Sequence, residues 1–447
     1  MRALETDLYQ LTMAAGYFHR GLADTTATFE LFVRNLPRAR RYLVACGIES
    51  ALDYIEALRF EEDDIAYLRE LPAMRDAMTP TFVEYLRAFR YRGDVFTVPE
   101  GTVVFGGEPM VQVRGSLLEA QMLETFLLST INHGTMIASK ASRVVTAAAG
   151  RSLFEFGTRR THPDAALSCA RAAYLVGFAG TSNVEAGKRF GIPVMGTAAH
   201  SWTMAHADEE TAFANYAATF PQSTILLIDT YDTLRGAERA ARIVGDKLKG
   251  VRIDSGNLGE VSRGVRTILD AHGLTATKIF ASGDLNEHAI AELLRGGAPF
   301  DGFGVGTELV CSTDAPALGG VYKLVEWERG GQRRAIAKFA EGKATYPGAH
   351  QVYRSVGVDG ELVDVLALAD EPVPAGARGL LERRILSGIR VGEREPVDAI
   401  RERTMAAVRC LPSRFHSLSP TESSAPSLQL SPSLVALLGE VRASVSH

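Results

Sequence analysis

Cysteine and long apolar runs are both scarce in this sequence. The 447 residues include only four cysteines, Cys46, Cys169, Cys311 and Cys410, and no C-x-x-C pair. Isolated cysteines of this kind are typical of reduced thiols and argue against a disulfide scaffold or a structural zinc site. No run of about 18 uncharged apolar residues is present, which argues against a membrane-spanning helix. The first residues also lack the apolar core of a signal peptide, so we expect a cytoplasmic protein.

A strong charge of either sign is also missing. The formal net charge is −5 and there is no long basic run, so nucleic acid is not an expected partner. With 46% hydrophobic and 23% charged residues, the composition is close to that of an average globular protein. This excludes a collagen-like, coiled-coil or largely disordered chain. At roughly 150 residues per domain, the length predicts two or three domains, and we expect an enzyme.

From about residue 150 the sequence alternates between short apolar runs and helical stretches. The runs, each of which ends in a polar or glycine-rich turn, are Leu153–Phe156, Pro193–Met195, Ile225–Ile228, Val251–Ile253, Ile279–Ala281 and Phe300–Phe303. The last four ends fall about 22–28 residues apart, the length of one strand-helix unit. Apolar strands separated by helices predict a parallel sheet with covered faces. Six or seven such units favour a closed or nearly closed β/α barrel, with a doubly wound sheet as the alternative.

The chain is expected to divide into three segments. Residues 1–130 mix helices and strands, residues 131–335 form the barrel, and residues 336–447 return to pack with the N-terminal part as a second α/β domain. Within the last segment, residues 417–434 are rich in Ser and Pro and are predicted to be mobile. One short helix is predicted over Leu434–Val441.

Two late loops have the composition of a phosphate site. Ser282–Asp284 precedes a predicted helix, and Gly302–Thr307 contains three glycines. Glycines let the main chain approach an anion, and a helix N-terminus supplies oriented N–H groups. Barrel enzymes often bind phosphate at their last two strand ends. Either loop taken alone could also be an ordinary turn.

Carboxylates recur at consecutive strand ends, as Asp229, Asp254 and Asp284. They could hold ribose hydroxyls or Mg²⁺, which prefers oxygen ligands. The alternative is that they cap the helices that follow, which aspartate does well.

Cationic groups and one histidine complete the set of candidates. Arg159 and Arg160 follow an apolar strand and suit a carboxylate or phosphate, although adjacent strand residues point oppositely, so we expect one of them to face the ligand. His200 follows the small residues 196–199, which leave room around its ring. A second group of arginines around Pro37, from Arg34 to Arg41, is either a solvated loop or a phosphate contact.

Taken together, these residues resemble the nicotinate phosphoribosyltransferase family. The resemblance spans at least residues 5–354 and depends on motifs that occur in the family's order. They are Glu5–Met13, Glu155–Pro163, Gly180–Val184, Gly196–Ser201, Val251–Asn257, Ser282–Asp284, Gly304–Leu309 and Gly342–Gly348.

The resemblance implies both a fold and a reaction. The fold is an irregular β/α barrel with a second domain built from the N- and C-terminal segments. The reaction joins nicotinate to phosphoribosyl pyrophosphate, giving nicotinate mononucleotide and pyrophosphate on the route to NAD. It implies Mg²⁺, ATP as a co-substrate hydrolysed through a transient phosphohistidine, and a homodimer with a shared active site. The motif Gly-Thr-x-x-His assigns the phosphohistidine to His200.

The resemblance also implies roles for individual residues. Phe156 and the partner subunit's Tyr9 would sandwich the pyridine ring, while Arg159 and Ser182 would contact the nicotinate. The residues implied to bind phosphoribosyl pyrophosphate are Arg252, Ser255, Gly283, Gly304, Gly306 and Thr307. Asp254 and Asp284 would act at the ribose and pyrophosphate with Mg²⁺.

Three departures from related patterns bear on this interpretation. The sister family that acts on nicotinamide usually has an aspartate where this chain has Ser182, and a carboxylate there would repel nicotinate, so nicotinate is favoured. No cysteine-rich zinc knuckle is present, which predicts no structural zinc. His350 stands where a lysine is expected, which leaves a phosphate role for that loop open. The alternatives are a nicotinamide phosphoribosyltransferase, a non-catalytic pyridine-binding or phosphoribosyl-binding regulator, and a barrel lyase or isomerase acting on a sugar phosphate.

Overall fold

The computed structural model describes residues 3–340, 342–357, 361–419 and 428–445. The strands are β1 (Thr26–Val33), β2 (Leu43–Val44), β3 (Asp94–Thr97), β4 (Val103–Val104), β5 (Pro109–Ser116), β6 (Ser152–Glu155), β7 (Gly180–Thr181), β8 (Ile225–Leu227), β9 (Gly250–Ile253), β10 (Lys278–Ala281), β11 (Gly302–Val305), β12 (Gly320–Arg329), β13 (Gln332–Ala335), β14 (His350–Val356), β15 (Leu362–Leu368), β16 (Arg378–Gly379), β17 (Glu382–Leu386), β18 (Ile389–Arg390) and β19 (Gln429–Leu430).

The α-helices are α1 (Leu8–His19), α2 (Ile48–Ala57), α3 (Glu62–Glu70), α4 (Pro80–Arg87), α5 (Leu117–Gln121), α6 (Glu124–Ala148), α7 (Pro163–Leu175), α8 (Val184–Phe190), α9 (His200–Met204), α10 (Glu209–Thr219), α11 (Thr233–Val244), α12 (Leu258–Ala271), α13 (Glu287–Arg295), α14 (Thr307–Val310), α15 (Val397–Arg409) and α16 (Pro432–Val445). Short 3₁₀ turns lie at Arg75–Ala77, Gly245–Lys247 and Ser413–His416. None of the helices in the described ranges is long and apolar enough to cross a membrane.

A six-stranded parallel sheet forms the centre of the molecule, in the order β7-β6-β11-β10-β9-β8. Its strands are short and largely buried, with all four residues of β11 inaccessible to solvent. Such apolar strands need helices to cover them, which the intervening helical segments provide. In the described part of the chain β7 and β8 do not pair with each other, so the sheet is an open half-barrel. The predicted fold class, an irregular β/α barrel, is confirmed, whereas full closure is not observed.

One predicted strand is wrong. Residues Pro193–Met195 make only a single parallel bridge, between Val194 and Thr181, and the edge strand of the sheet is β7. Proline has no N–H to donate to a ladder, so the run lies at the sheet edge and leaves it after one bridge. The predicted strand Phe300–Phe303 is present but displaced to Gly302–Val305.

A second, antiparallel sheet combines strands from both ends of the chain, in the order β13-β12-β1-β5-β3-β17-β18. Strand β12 pairs antiparallel with β1 along its length. An antiparallel strand cannot continue a series of parallel strand-helix units. The parallel series of strand-helix units therefore ends before β12, and the domain boundary at 335 stays a prediction.

The C-terminal segment is more ordered than expected. Of the stretch 417–434 predicted to be mobile, residues 420–427 lie outside the described residues. Strand β19 pairs in parallel with β15, and α16 begins at Pro432 with Leu434 fully buried. The backbone of Gln429–Leu430 therefore completes a four-stranded sheet, β16-β14-β15-β19, and the buried Leu434 anchors the helix that follows.

The 25-residue helix α6 joins the two domains through a buried ion cluster. Lys140 Nζ lies 2.7 Å from Glu287 Oε2 and 3.0 Å from Asp314 Oδ1. Arg143 Nε lies 2.9 Å from Glu287 Oε1, and Arg40 Nε lies 3.1 Å from Asp314 Oδ2. Arg40, which is 4% exposed, is therefore neither a solvated residue nor a phosphate contact. Burial raises the pKa of Glu287, but Lys140 and Arg143 outweigh it and hold that pKa below its usual value.

We predict that Glu287→Ala destabilises the protein by about 3–5 kcal/mol, because it takes from the buried Arg143 the carboxylate that it contacts and removes one of the two carboxylates that contact Lys140. The matched control is Glu62→Ala, which removes an exposed ion pair with Arg87 and should cost much less. Denaturant unfolding at pH 7 measures both. Because the pKa of Glu287 is depressed in the folded state, its contribution should be present above its usual pKa and fall away at lower pH. Equal losses for the two variants at pH 7 would contradict this assignment.

Candidate active site

The carboxyl ends of the parallel strands surround one cavity of about 300 Å³. Its lining residues are Phe156, Thr158, Arg159, Arg160, Ser182, Gly196, Thr197, Ala198, Ala199, His200, Arg252, Asp254, Ser282, Gly283, Asp284, Gly304, Gly306 and Thr307. Eleven of the thirteen candidate site residues lie on this wall, although they come from segments spread over 150 positions of the chain. Tyr9 and Ser255 do not.

The two exceptions lie in different places. Tyr9 is on α1 and is 45% exposed. Burial and the neighbouring Glu124 raise the pKa of Tyr9 to about 12, so its hydroxyl stays protonated at neutral pH. Ser255 lies just past the end of β9 and donates a hydrogen bond of 2.6 Å to Asp229 Oδ2.

Phe156 forms one end of the cavity. It follows β6 and lies against Gly304 on β11, where a Cβ atom would come within 2.3 Å of the ring. Glycine at 304 therefore lets the ring lie close to the sheet.

Glu155, which the sequence analysis did not select, holds the segments on either side of Phe156. Its side chain accepts hydrogen bonds from the backbone N–H of Gly157 and from Thr181 Oγ1, the latter at 2.6 Å. Its backbone carbonyl accepts from the N–H of Ser182 at 2.9 Å. Burial raises the pKa of Glu155. A buried acid at a strand end is the one signal in the sequence that could have identified it.

Both Arg159 and Arg160 line the cavity, and the expectation that one of them faces the ligand stays a prediction. They lie in a turn closed by a hydrogen bond of 2.8 Å from the N–H of Arg160 to the carbonyl of Gly157. The alternation of side chains along a strand therefore does not apply. Two guanidiniums at one wall give the cavity a strong preference for anions.

His200 is the first residue of the short helix α9 and faces the same cavity. Its Nδ1 lies 3.2 Å from Thr230 Oγ1, at the loop after β8. This contact orients the ring.

Arg252, on β9, extends toward the loop that precedes His200. Its Nη1 donates to Thr197 Oγ1 at 2.8 Å and its Nη2 donates to the carbonyl of Ala198 at 3.2 Å. Burial lowers the pKa of Arg252, whereas the nearby Asp254 and Asp229 oppose that shift.

The three aspartates are not helix caps. The caps of the following helices α11, α12 and α13 are Asp232, Asn257 and Asn286. Asp229 Oδ2 instead accepts from the N–H of Asp254 at 2.9 Å, and one oxygen of Asp254 accepts from Ser282.

Asp254 and Asp284 line the cavity together. Two carboxylates beside an anion-binding wall fit Mg²⁺, which is commonly held by one or two carboxylates together with substrate phosphates and water. No group of three or more His, Cys, Asp or Glu side chains suited to hold a metal by themselves occurs in the described ranges.

The predicted phosphate loops adjoin one another at this wall. Gly283 has φ +90°, and a Cβ atom there would lie 2.3 Å from the backbone oxygen of Asp254. Only glycine allows so close an approach, and the main-chain N–H groups of such a turn are suited to bind an anion. His350 does not line the cavity: it is 2% exposed and its Nδ1 lies 2.7 Å from Glu30 Oε2.

Comparisons with known proteins agree with this geometry. Residues 4–132 match the model of the nicotinate phosphoribosyltransferase N-terminal domain, and residues 151–338 match that of the nicotinate phosphoribosyltransferase family. A nicotinate phosphoribosyltransferase of Mycobacterium tuberculosis is 43% identical over 431 residues, which cover 95% of this chain and 90% of that protein. One from Bacillus subtilis is 44% identical over 383 residues, which cover 83% of this chain and 77% of that protein.

Two solved structures have the same fold. Human nicotinic acid phosphoribosyltransferase aligns with a TM-score of 0.86 and 28% identity, covering 98% of this chain and 99% of that one. A nicotinate-nucleotide pyrophosphorylase from Pyrococcus furiosus aligns with a TM-score of 0.74 and 26% identity, covering 91% and 94%.

We predict that Gly283→Ala weakens the binding of inorganic phosphate at least about tenfold, a loss of ~1.4 kcal/mol. The added methyl group must displace the backbone at Asp254. The matched control is Gly256→Ala, which also has positive φ (+82°) but no atom within 4 Å of its added Cβ. Both variants bear the left-handed backbone penalty of about 1–2 kcal/mol, and only Gly283→Ala bears the clash. Titration calorimetry measures the affinities, and equal weakening would show that the close approach is unimportant.

Proposed function

This chain belongs to the nicotinate phosphoribosyltransferase family, and we infer that it is an enzyme that joins nicotinate to phosphoribosyl pyrophosphate, giving nicotinate mononucleotide and pyrophosphate for NAD synthesis. The observation that carries this inference is a single cavity that combines an aromatic wall, two arginines, two carboxylates and glycine-rich loops. A non-catalytic regulator would have no need for the carboxylates and His200 on that wall. A sugar-phosphate lyase would have no need for the aromatic wall.

Nicotinate fits the end of the cavity formed by Phe156. The ring would stack on Phe156, and its carboxylate would meet Arg159, Arg160 and Ser182. A serine hydroxyl can donate to a carboxylate, whereas an aspartate at 182 would repel it. The preference for nicotinate over nicotinamide follows from this charge pattern.

Phosphoribosyl pyrophosphate fits the wall formed by the ends of β10 and β11. The main-chain N–H groups at Gly283, Gly304 and Gly306 would bind its 5′-phosphate, with Thr307 beside them. Arg252 would contact its pyrophosphate, and Ser255 would act through the loop it stabilises with Asp229.

The reaction breaks the bond from ribose C1 to the pyrophosphate oxygen and forms one from C1 to the pyridine nitrogen. Positive charge develops on the sugar, and Asp254 and Asp284 lie where they can stabilise it. The same two carboxylates would hold Mg²⁺, which neutralises the charge of the departing pyrophosphate when it is bound.

ATP would be coupled to this transfer through His200. Nδ1 faces Thr230, which leaves Nε2 for attack on the terminal phosphate of ATP. A nitrogen–phosphorus bond forms as the bond to ADP breaks, and water later releases phosphate from the histidine. The added negative charge would reorganise the neighbouring loop and change substrate affinity.

The position of Tyr9 supports the hypothesis that the enzyme is a dimer. It lies outside its own subunit's cavity and is largely exposed, as a residue would be that completes a second subunit's site. A homodimer with shared active sites accounts for both facts. A cytoplasmic location fits a chain in which all four cysteines are free.

We predict that ATP raises the rate of nicotinate mononucleotide formation by the unaltered enzyme and leaves His200→Ala unaffected, because the variant lacks the nitrogen that accepts phosphate. The unaltered enzyme should use nicotinate in preference to nicotinamide. Product formation with each base, with and without ATP, measures both effects.

The matched control is His206→Ala, since His206 lies in the next turn and contacts Trp202 instead of the cavity. Its response to ATP should equal that of the unaltered enzyme. An ATP response that survives in His200→Ala would remove the phosphohistidine assignment and leave the transferase intact. No product under any condition would overturn the proposed function.

We also predict that Tyr9→Ala and Arg159→Ala, each nearly inactive alone, recover activity after they are unfolded together and refolded. A mixed dimer carries both substitutions in one site and neither in the other, so random pairing should restore up to about a quarter of the full activity. Each variant refolded alone is the control. If mixing restores nothing while mixed dimers form, Tyr9 acts within its own subunit.

A further inference from the structure

The loop that carries His200 is tied to the barrel by Arg252. The two Nη atoms of that guanidinium donate to Thr197 Oγ1 and to the carbonyl of Ala198, at 2.8 and 3.2 Å. Thr197 precedes His200 by three residues and lies 55 positions away from Arg252 in the sequence. The contact therefore joins two separate strand-helix units at the cavity wall.

Other anchors for this loop are few. Gly196, Ala198 and Ala199 have no side-chain hydrogen-bonding groups, and a Cβ atom at Gly196 would meet nothing within 4 Å. Within the described ranges, the side-chain hydrogen bonds from outside that reach residues 196–199 come from Arg252. The position of the loop therefore depends on where the guanidinium lies.

Arg252 still has hydrogen-bonding capacity in reserve. A guanidinium has five N–H groups, of which the loop uses two. Its Nε is buried and has no hydrogen-bond partner in the structure. The side chain lines the cavity on the same wall as Gly283 and Asp284. It can hold the loop and bind an anion at the same time, and a shift toward the anion would move the loop.

We propose that Thr197 is a positioning residue through which Arg252 links the binding of phosphoribosyl pyrophosphate to the position of His200. The proposal rests on the proposed function, since it assumes that both the substrate and ATP act in this cavity. Linkage is reciprocal. If substrate binding changes the free energy of phosphorylating His200, then phosphorylation of His200 changes the free energy of substrate binding by the same amount.

The experiment measures KM for phosphoribosyl pyrophosphate with and without ATP, and takes the ratio as the coupling factor. Thr197→Val keeps the shape of the side chain and removes the hydroxyl that accepts from Arg252. We expect the coupling factor to fall about tenfold, as for the loss of a hydrogen bond to a charged group. If the coupling factor of the unaltered enzyme is less than about ten, we expect it to fall to 1. Thr197→Ser retains the hydroxyl and should restore the factor to within about twofold.

Two further variants separate positioning from a general structural effect. Thr267→Val removes an exposed hydroxyl on α12, bonded only to the carbonyl of Arg263, and should leave the coupling factor unchanged. In a His200→Ala background, Thr197→Val should no longer alter the ratio, because the loop then carries no phosphate. Melting temperatures check that each variant is folded.

Each outcome decides the matter. The role of Thr197 is overturned if the coupling factor is unchanged in Thr197→Val, or if Thr197→Ser does not restore it. The proposed transferase function then still stands. If the unaltered enzyme forms product but ATP does not change its KM, both the ATP coupling and this inference fall. If it forms no product, the proposed function itself fails.

Discussion

The active-site cavity depends on one geometric constraint: all six strands of the half-barrel run in the same direction. Their carboxyl ends therefore meet at one rim, and residues more than 100 positions apart, such as Phe156 and Asp284, line the same cavity. At this rim, the residues that cap the helices are not the residues that face the cavity. Asp232, Asn257 and Asn286 cap the helices, which leaves the aspartates that precede them free to orient the loops or face the cavity. Without separate caps, the carboxylates would be occupied by backbone N–H groups.

The rim is in turn held by helix α6. Helix α13 begins at Glu287, three residues after Asp284, and Glu287 is fixed by Lys140 and Arg143 of α6. These groups are almost completely buried, so their mutual attraction is only weakly screened. The Gly283 loop therefore lies between two rigid supports, the end of β10 and an ion-paired helix.

Much of this arrangement could be predicted from the sequence, because strand ends followed by polar turns are local patterns. Five of the six predicted barrel strands are present within two residues, and the carboxylates and glycine loops fall where those ends predict. Pro193–Met195 was misassigned because three apolar residues do not reveal whether a partner strand continues alongside them. The sequence does not reveal that β12 belongs to the antiparallel sheet, because its pairing partner β1 lies about 290 positions away.

The residues that were missed share a different property. Glu155 and Thr197 act through contacts with other loops, and nothing in their immediate neighbours reveals those contacts. Arg252 has a contact of the same kind. The resemblance assigned it to the substrate, and in the structure it also donates hydrogen bonds to the loop at Thr197 and Ala198. An ammonium group could serve one of these tasks as a point charge, but a guanidinium has a planar fork that can donate to a loop and an anion together. Burial lowers the pKa of Arg252, and the nearby Asp254 and Asp229 oppose that shift in part. Arginine at 252 is therefore required by geometry as much as by charge.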